Sequence, residues 1–160
     1  MSTLVLCVGK MKEKPYRQMA DEYLKRLSRY GKYEEIEIPD MPEPQASSPA
    51  LEEQVKTREG EAILSRIRPG DRVIALTISG RKMDSPALAS YLASLKAGGG
   101  VSRFVFVIGG SLGLGKNVLE RADEELSMSD MTFPHQLARV MLLEQLYRAE
   151  KISAGERYHK

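Results

Sequence analysis

The chain has 160 residues, a formal net charge of +2, two histidines and one cysteine, a length that suits a single domain spanning 1–160 and burying a core without staples. One cysteine excludes an intrachain disulfide and a structural zinc site, and no apolar run approaches the length of a bilayer, so a cytoplasmic protein with no membrane and no metal is expected. The charge is unevenly spread. Lys10, Lys12, Lys14, Arg17, Lys25, Arg26, Arg29 and Lys32 are opposed only by Glu13, Asp21 and Glu22, while residues 34–61 are acidic. Such a run is either a solvated helix face or a surface for phosphates.

Leu4 to Val8 reads as a buried strand closed by Gly9, with Cys7 as a small core residue. Pro15 opens a helix whose Tyr16, Met19, Ala20, Tyr23, Leu24 and Leu27 recur at threes and fours, and Gly31 is expected to end it. Tyr33 to Ile38 alternates as a short strand, and Pro39, Pro42, Pro44 and Pro49 mark a loop. Leu51 to Ile67 returns to helix until Pro69 and Gly70. Val73 to Ile78 is a second buried strand, followed by an expected loop at Ser79, Gly80, Arg81 and Lys82. Ser85 before Pro86 starts a helix that buries Leu88, Tyr91, Leu92 and Leu95 and stops at Gly98 to Gly100. Phe104 to Ile108 is a continuous apolar run, as a strand covered on both faces reads. The alternation of strands and helices predicts an α/β fold, a parallel sheet with helices on both faces.

Gly109, Gly110, Gly113 and Gly115 follow that strand, and Ser127 to His135 forms a second loop before a long helix from Pro134 to about Ile152. In open α/β sheets ligands bind beyond the carboxyl ends of the strands, which points to these two loops. The glycine cluster is either a pocket or a flexible turn. The helix carries one apolar sector of Ala138, Met141, Leu142, Ala149 and Ile152 and another of Val140, Leu143 and Tyr147. Two sectors need two surfaces, and a symmetric homodimer supplies the second, the alternative being a helix wholly buried in one chain. Glu144, Arg148 and Lys151 lie between them, where charges are kept when paired or used.

Gly110 to Lys116 matches the first part of a phosphate-binding loop, but Asn117 stands where a magnesium-binding Ser or Thr belongs, which argues against a nucleotide hydrolase. His135 and His159 are too few for a metal site without a cysteine pair.

Leu4-Val5-Leu6-Cys7-Val8-Gly9-Lys10, Phe106-Val107-Ile108-Gly109-Gly110, Met131-Thr132-Phe133-Pro134-His135, Glu144-Gln145-Leu146-Tyr147-Arg148-Ala149 and Tyr158-His159-Lys160 together resemble the RlmH group of SPOUT methyltransferases, in the group's order and over essentially the whole chain. The resemblance implies an S-adenosylmethionine-dependent enzyme that methylates N3 of a pseudouridine in the helix 69 loop of 23S rRNA, in the ribosome or large subunit. It also implies a C-terminal deep trefoil knot and a homodimer. Carried over residue by residue, cofactor contacts fall on Leu76, Gly109, Met128, Ser129, Asp130, Met131, Thr132 and Phe133. Leu112 departs from the polar residue that relatives often carry there, so a polar role at that position is not carried over.

Removal of the N3 proton needs a base, and His159 is the best placed by chemistry, imidazole being the side chain that ordinarily titrates nearest neutral pH. Tyr158 stands beside it. Arg148 is assigned to a phosphate or to the developing pyrimidine anion, and Glu144 to orienting Arg148. A competing reading is a ribosome-binding assembly factor without chemistry, and another a frayed C-terminal tail with no role.

Overall fold

The computed structural model describes all 160 residues. The elements run β1 (Ser2–Val8), α1 (Lys14–Leu27), β2 (Lys32–Ile38), α2 (Pro49–Leu64), β3 (Asp71–Lys82), α3 (Ser85–Ala97), β4 (Arg103–Ile108), α4 (Lys116–Arg121), β5 (Glu124–Ser127) and α5 (His135–Ser153). All strand pairings are parallel, in the order β2-β1-β4-β3-β5.

Strand alternation divides the interior in two. Val5 and Cys7 of β1 with Phe104, Phe106 and Ile108 of β4 face α1, α3 and α5, whereas Leu4, Leu6 and Val8 with Val105 and Val107 face Ile63 of α2 and Val118 of α4. Both faces of the central strands are therefore covered, which is why these strands read as unbroken apolar runs rather than as alternating ones.

Several boundaries differ from expectation. The segment Ser79 to Lys82 is strand, not loop: β5 pairs with β3 first at Ile74 to Leu76 and then, after a register shift, at Arg81 and Lys82. Gly80 makes the second pairing possible, since a Cβ there would stand 2.6 Å from the Glu125 carbonyl carbon. α3 starts at Ser85 as expected, with Asp84 before it as the cap, accepting from the Ala87 amide at 2.8 Å, and the Ser85 hydroxyl donates to Gln145 on α5 at 2.6 Å. α1 ends at Leu27, before Gly31, and Met19 of its expected buried stripe is 41% exposed. α4 is hidden in the sequence by the glycines before it. Asn117, on α4, ties its amide to the Thr57 carbonyl at 3.1 Å, so the half-matched phosphate loop is an anchor onto α2.

The second apolar sector of α5 has an internal explanation. Val140, Leu143 and Tyr147 are all buried within the single chain, in the same core as Leu142, Leu146 and Ala149. α5 lies on the sheet between α1 and α3, so a wide apolar arc is consumed by three neighbours. What stays partly uncovered is the narrower strip of Leu137, Ala138, Met141, Gln145 and Ile152.

Candidate active site

The carboxyl ends of β3, β4 and β5 open on a cavity of about 720 Å³. Leu76, Gly109, Met128, Ser129, Met131, Thr132 and Phe133, seven of the eight residues expected to contact the cofactor, line it. Asp130, the eighth, turns outward to Lys82, with Oδ1 to Nζ at 2.5 Å. The loop after β5 is held by its own groups: Ser127 donates to the Ser129 carbonyl at 3.0 Å, and the Met131 amide donates to Ser129 Oγ at 3.0 Å.

The glycines of the other loop serve its own backbone. Gly110 and Gly113 form an antiparallel bridge, Gly113 has φ +85°, and a Cβ on Gly109 would stand 2.8 Å from the Gly113 carbonyl carbon. The chain doubles back so tightly that only glycine fits. Leu112, at the departure from the resembled pattern, lines the cavity and also a smaller one of about 310 Å³.

Ile78, Leu114, His135 and Ala138 line the cavity as well, none of them among the residues expected to contact the cofactor. Leu114 and His135 belong to the two loops that the strand-end argument singles out; the place of His135 after Pro134, at the start of the helix that leaves the loop, is the signal that could have given it a part in the wall. Its Nδ1 is buried without a partner, and burial, then the charge of Arg139, lowers its pKa from the ordinary 6.5, leaving a neutral imidazole at the cavity wall. Beneath it Arg139 is fully buried. Its Nη1 donates to the Gly9 carbonyl at 3.2 Å and to Glu37 at 3.1 Å, and its Nη2 lies 2.9 Å from Glu35. A charge this deep survives because it is paired. The network ties the start of α5 to the ends of β1 and β2, and so fixes the His135 wall.

The four residues expected to be catalytic form a second cluster. Glu144 accepts from Arg148 Nε at 3.1 Å and from the Tyr158 hydroxyl at 3.1 Å. The Arg148 guanidinium lies 4.7 Å from the Tyr158 ring centroid, and that ring meets Tyr147 edge-on at 5.0 Å. Burial and then the Glu144 hydrogen bond push the Tyr158 phenol up to about 12, so it is a donor, not an anion. The tail is thus docked rather than frayed. Arg148 Nη1 is 3.3 Å from His159 Nδ1; a guanidinium only donates, so Nδ1 accepts and the neutral ring carries its proton on Nε2. In this arrangement the basic lone pair of His159 is occupied by Arg148.

None of the four lines the cavity. Ala138, at the cavity, and Arg148 are ten residues apart on α5, roughly 15 Å along the axis. The structure brings the predicted residues together as two sites, a cavity and a tail cluster, not one.

A parallel five-stranded sheet with helices on both faces and a cavity between two loops at its carboxyl edge is the architecture of a SPOUT methyltransferase, and residues 1–159 match the model of a family described as a predicted SPOUT methyltransferase. A solved structure of a probable methylase family protein from Haemophilus influenzae Rd KW20 superposes with a TM-score of 0.55 over 99% of this chain and 70% of that one, at 13% identity, a likeness of fold. Ribosomal RNA large subunit methyltransferase H of Bifidobacterium animalis subsp. lactis (strain AD011) is 52% identical over the full length of both chains, and that of Alkaliphilus oremlandii (strain OhILAs) is 51% identical over the same span. The chain belongs to the RlmH family of SPOUT methyltransferases.

Proposed function

We propose that the protein transfers a methyl group from S-adenosylmethionine to N3 of a pseudouridine in the helix 69 loop of 23S rRNA, within the ribosome or large subunit, as a cytoplasmic homodimer whose C-terminal third is threaded as a deep trefoil knot. The observation that carries this reading is the cavity. Its volume lies in the range of small-molecule sites, its walls include Leu76, Ile78, Leu114 and Met128 for an apolar ring, and two loops contribute backbone. Family membership with full-length rRNA methyltransferase relatives supports the substrate class.

In this reading Leu76, Gly109, Met128, Ser129, Met131, Thr132 and Phe133 would hold the donor, which when bound supplies a methyl group on a sulfonium sulfur, while Asp130 stays with Lys82 outside the cavity. The carbon–sulfur bond breaks as the N3–carbon bond forms, so the protein has to align the two centres and take the N3 proton. His159 is assigned the proton and Arg148 the developing negative charge on the pyrimidine, with Glu144 orienting Arg148 and Tyr158 donating beside it. Because cavity and tail cluster lie apart on one chain, the tail of one subunit serves the cavity of its partner, and His159 must leave Arg148 before it can accept a proton.

The test is nucleoside mass spectrometry of helix 69 from ribosomes incubated with the protein and S-adenosylmethionine. One added methyl on the pseudouridine is expected from the full chain. A variant lacking Tyr158 to Lys160 should retain fold and calorimetric binding of S-adenosylhomocysteine while kcat falls at least tenfold, since a general base contributes about 10² to 10⁴. Ribosome binding without donor binding or methylation would instead assign an assembly factor.

A further inference from the structure

The eight cations between Lys10 and Lys32 are not equivalent. Arg17 is paired with Asp21 and Glu35, Arg26 with Glu22, and Lys32 with Glu34. Lys25 lies in the last turn of α1, a helix of 14 residues and thus about 21 Å long, and Arg29 in the turn just beyond its end. Lys10, Lys12 and Lys14 remain. All three are exposed, and none has a carboxylate within ion-pair distance.

Their exposure is built into the loop between β1 and α1. The backbone is pinned on the inner side: the Gly9 amide donates to the Ile38 carbonyl at 2.8 Å, the Gly9 carbonyl accepts from Arg139, the Met11 amide donates to Glu37 at 2.5 Å, and the Glu13 amide donates to Gln136 Oε1 at 3.3 Å. The Met11 side chain is buried in the core beside α5. With Gly9 and Met11 held inward, Lys10 and Lys12 are left exposed, and so are Glu13 and Lys14 at the start of α1. Three unpaired ammonium groups outnumber the one carboxylate, and an excess of positive charge carried on a pinned backbone makes a ready anion contact.

The loop lies behind one wall of the cavity. A Cβ added at Gly9 would stand 3.2 Å from His135 Cε1, and Lys12 is among the charges His135 feels. His135 is a cavity wall, and Gln136, which holds Glu13, follows it.

We propose that Lys10, Lys12 and Lys14 form a basic lip at the cavity mouth that grips the phosphodiester backbone of an RNA loop, setting the target nucleotide over the cavity. This rests on the reading of the protein as an RNA methyltransferase and adds where the RNA lies. Phosphate contacts of this kind position a nucleic acid without reading its sequence. The lip belongs to affinity and register; the chemistry stays with the cavity and the tail.

The test uses the full-length dimer and a fluorescein-labelled RNA hairpin of the helix 69 sequence, with Lys10→Ala/Lys12→Ala/Lys14→Ala compared with Lys25→Ala/Arg29→Ala. The triple variant should melt as wild type and bind S-adenosylhomocysteine with unchanged affinity. Its RNA Kd should rise at least tenfold at low salt, and the slope of log Kd against log salt should become shallower by about 0.7 for each single-strand phosphate that the variant no longer neutralises. In methylation of ribosomes KM should rise with kcat retained. The control pair should change RNA affinity much less. Wild-type affinity and salt slope in the triple variant overturn the lip. So does an equal loss of affinity in the control pair, or a parallel loss of S-adenosylhomocysteine binding, which would give the lysines to the cavity itself. If wild type binds S-adenosylhomocysteine but not the hairpin or ribosomes, the RNA reading fails and the lip with it.

Discussion

Arg139 Nη1 lies 3.2 Å from the Gly9 carbonyl, so a guanidinium on the last helix holds the loop that leaves the first strand. Replacing Arg139 with Met keeps much of the volume but leaves the Glu35 carboxylate, whose side chain is 6% exposed, to Arg17 alone, with Nη1 at 2.6 Å. A buried pair broken with no partner remaining costs about 3–5 kcal/mol; with Arg17 still in place, urea unfolding should show a loss toward the lower end of that range. The same variant should weaken S-adenosylhomocysteine binding, because His135 lies one turn before Arg139. Stability within about 1 kcal/mol of wild type, well short of that cost, would mean that the network is dispensable.

Gly109→Ala should be harmful even though alanine is small. Its Cβ would meet the carbonyl carbon of Gly113 at 2.8 Å and Leu114 Cδ2 at 3.1 Å, below ordinary contact, so the loop must shift and the cavity wall with it. Donor affinity measured by calorimetry should fall at least tenfold while the circular dichroism spectrum stays native. Unchanged affinity would show that the loop yields without consequence.

Asp71 predicts an acid limit. Burial alone would raise its carboxyl pKa, but the hydrogen bonds from Arg103 and from the Arg68 amide outweigh it and hold the group below its ordinary 3.8. Arg103 Nη2 and Nε reach it at 2.6 and 3.1 Å. With the folded pKa depressed, the stabilisation is fully present above the unfolded value and is lost as pH falls through the folded one. The unfolding midpoint of wild type should therefore drop below about pH 4 more steeply than that of Asp71→Asn, which begins lower and stays flatter. Parallel pH profiles would remove Asp71 from the acid transition.

The homodimer proposal needs a residue that the single chain leaves open. Leu143 is fully buried, so a charge there would unfold the subunit before it could report on an interface. Met141, on the partly uncovered strip, is the better probe. Met141→Arg should retain its melting temperature within a few degrees of an isolated wild-type subunit and sediment as a monomer at micromolar concentration. A persistent dimer would place the interface elsewhere.

The sheet was legible because buried parallel strands are apolar without interruption, and β1, β3 and β4 announce themselves that way. β5 has only four residues, Glu124 to Ser127, and two of them are acidic, so its membership in the sheet depends on pairing with β3 that no local pattern encodes. The two cavity loops are legible from their place beyond the carboxyl ends of strands and the individual contacts from motif resemblance, while the wall positions of His135, Ile78 and Leu114 depend on where α5 and the glycine loop are brought together. The two sectors of α5 do need two surfaces, as periodicity implies, but periodicity cannot say whether a surface belongs to the same chain. The pairing of the cations is equally invisible: Arg17 and Lys12 look alike in sequence, and only the fold shows that Glu35 occupies one of them.

The edge position of β5 has a consequence in time. Every strand joins the sheet through a nonlocal parallel pairing, and such contacts form slowly because chain closure precedes their reward. The cavity needs residues from β3, β4, the loop after β5 and the start of α5 at once, so it is complete only when the last third of the chain has docked. A ligand of that cavity binds the finished state and nothing earlier. It should therefore slow unfolding in proportion to its occupancy while leaving the refolding rate unchanged: the donor acts as a latch on a structure that has already closed, not as a template for closing it.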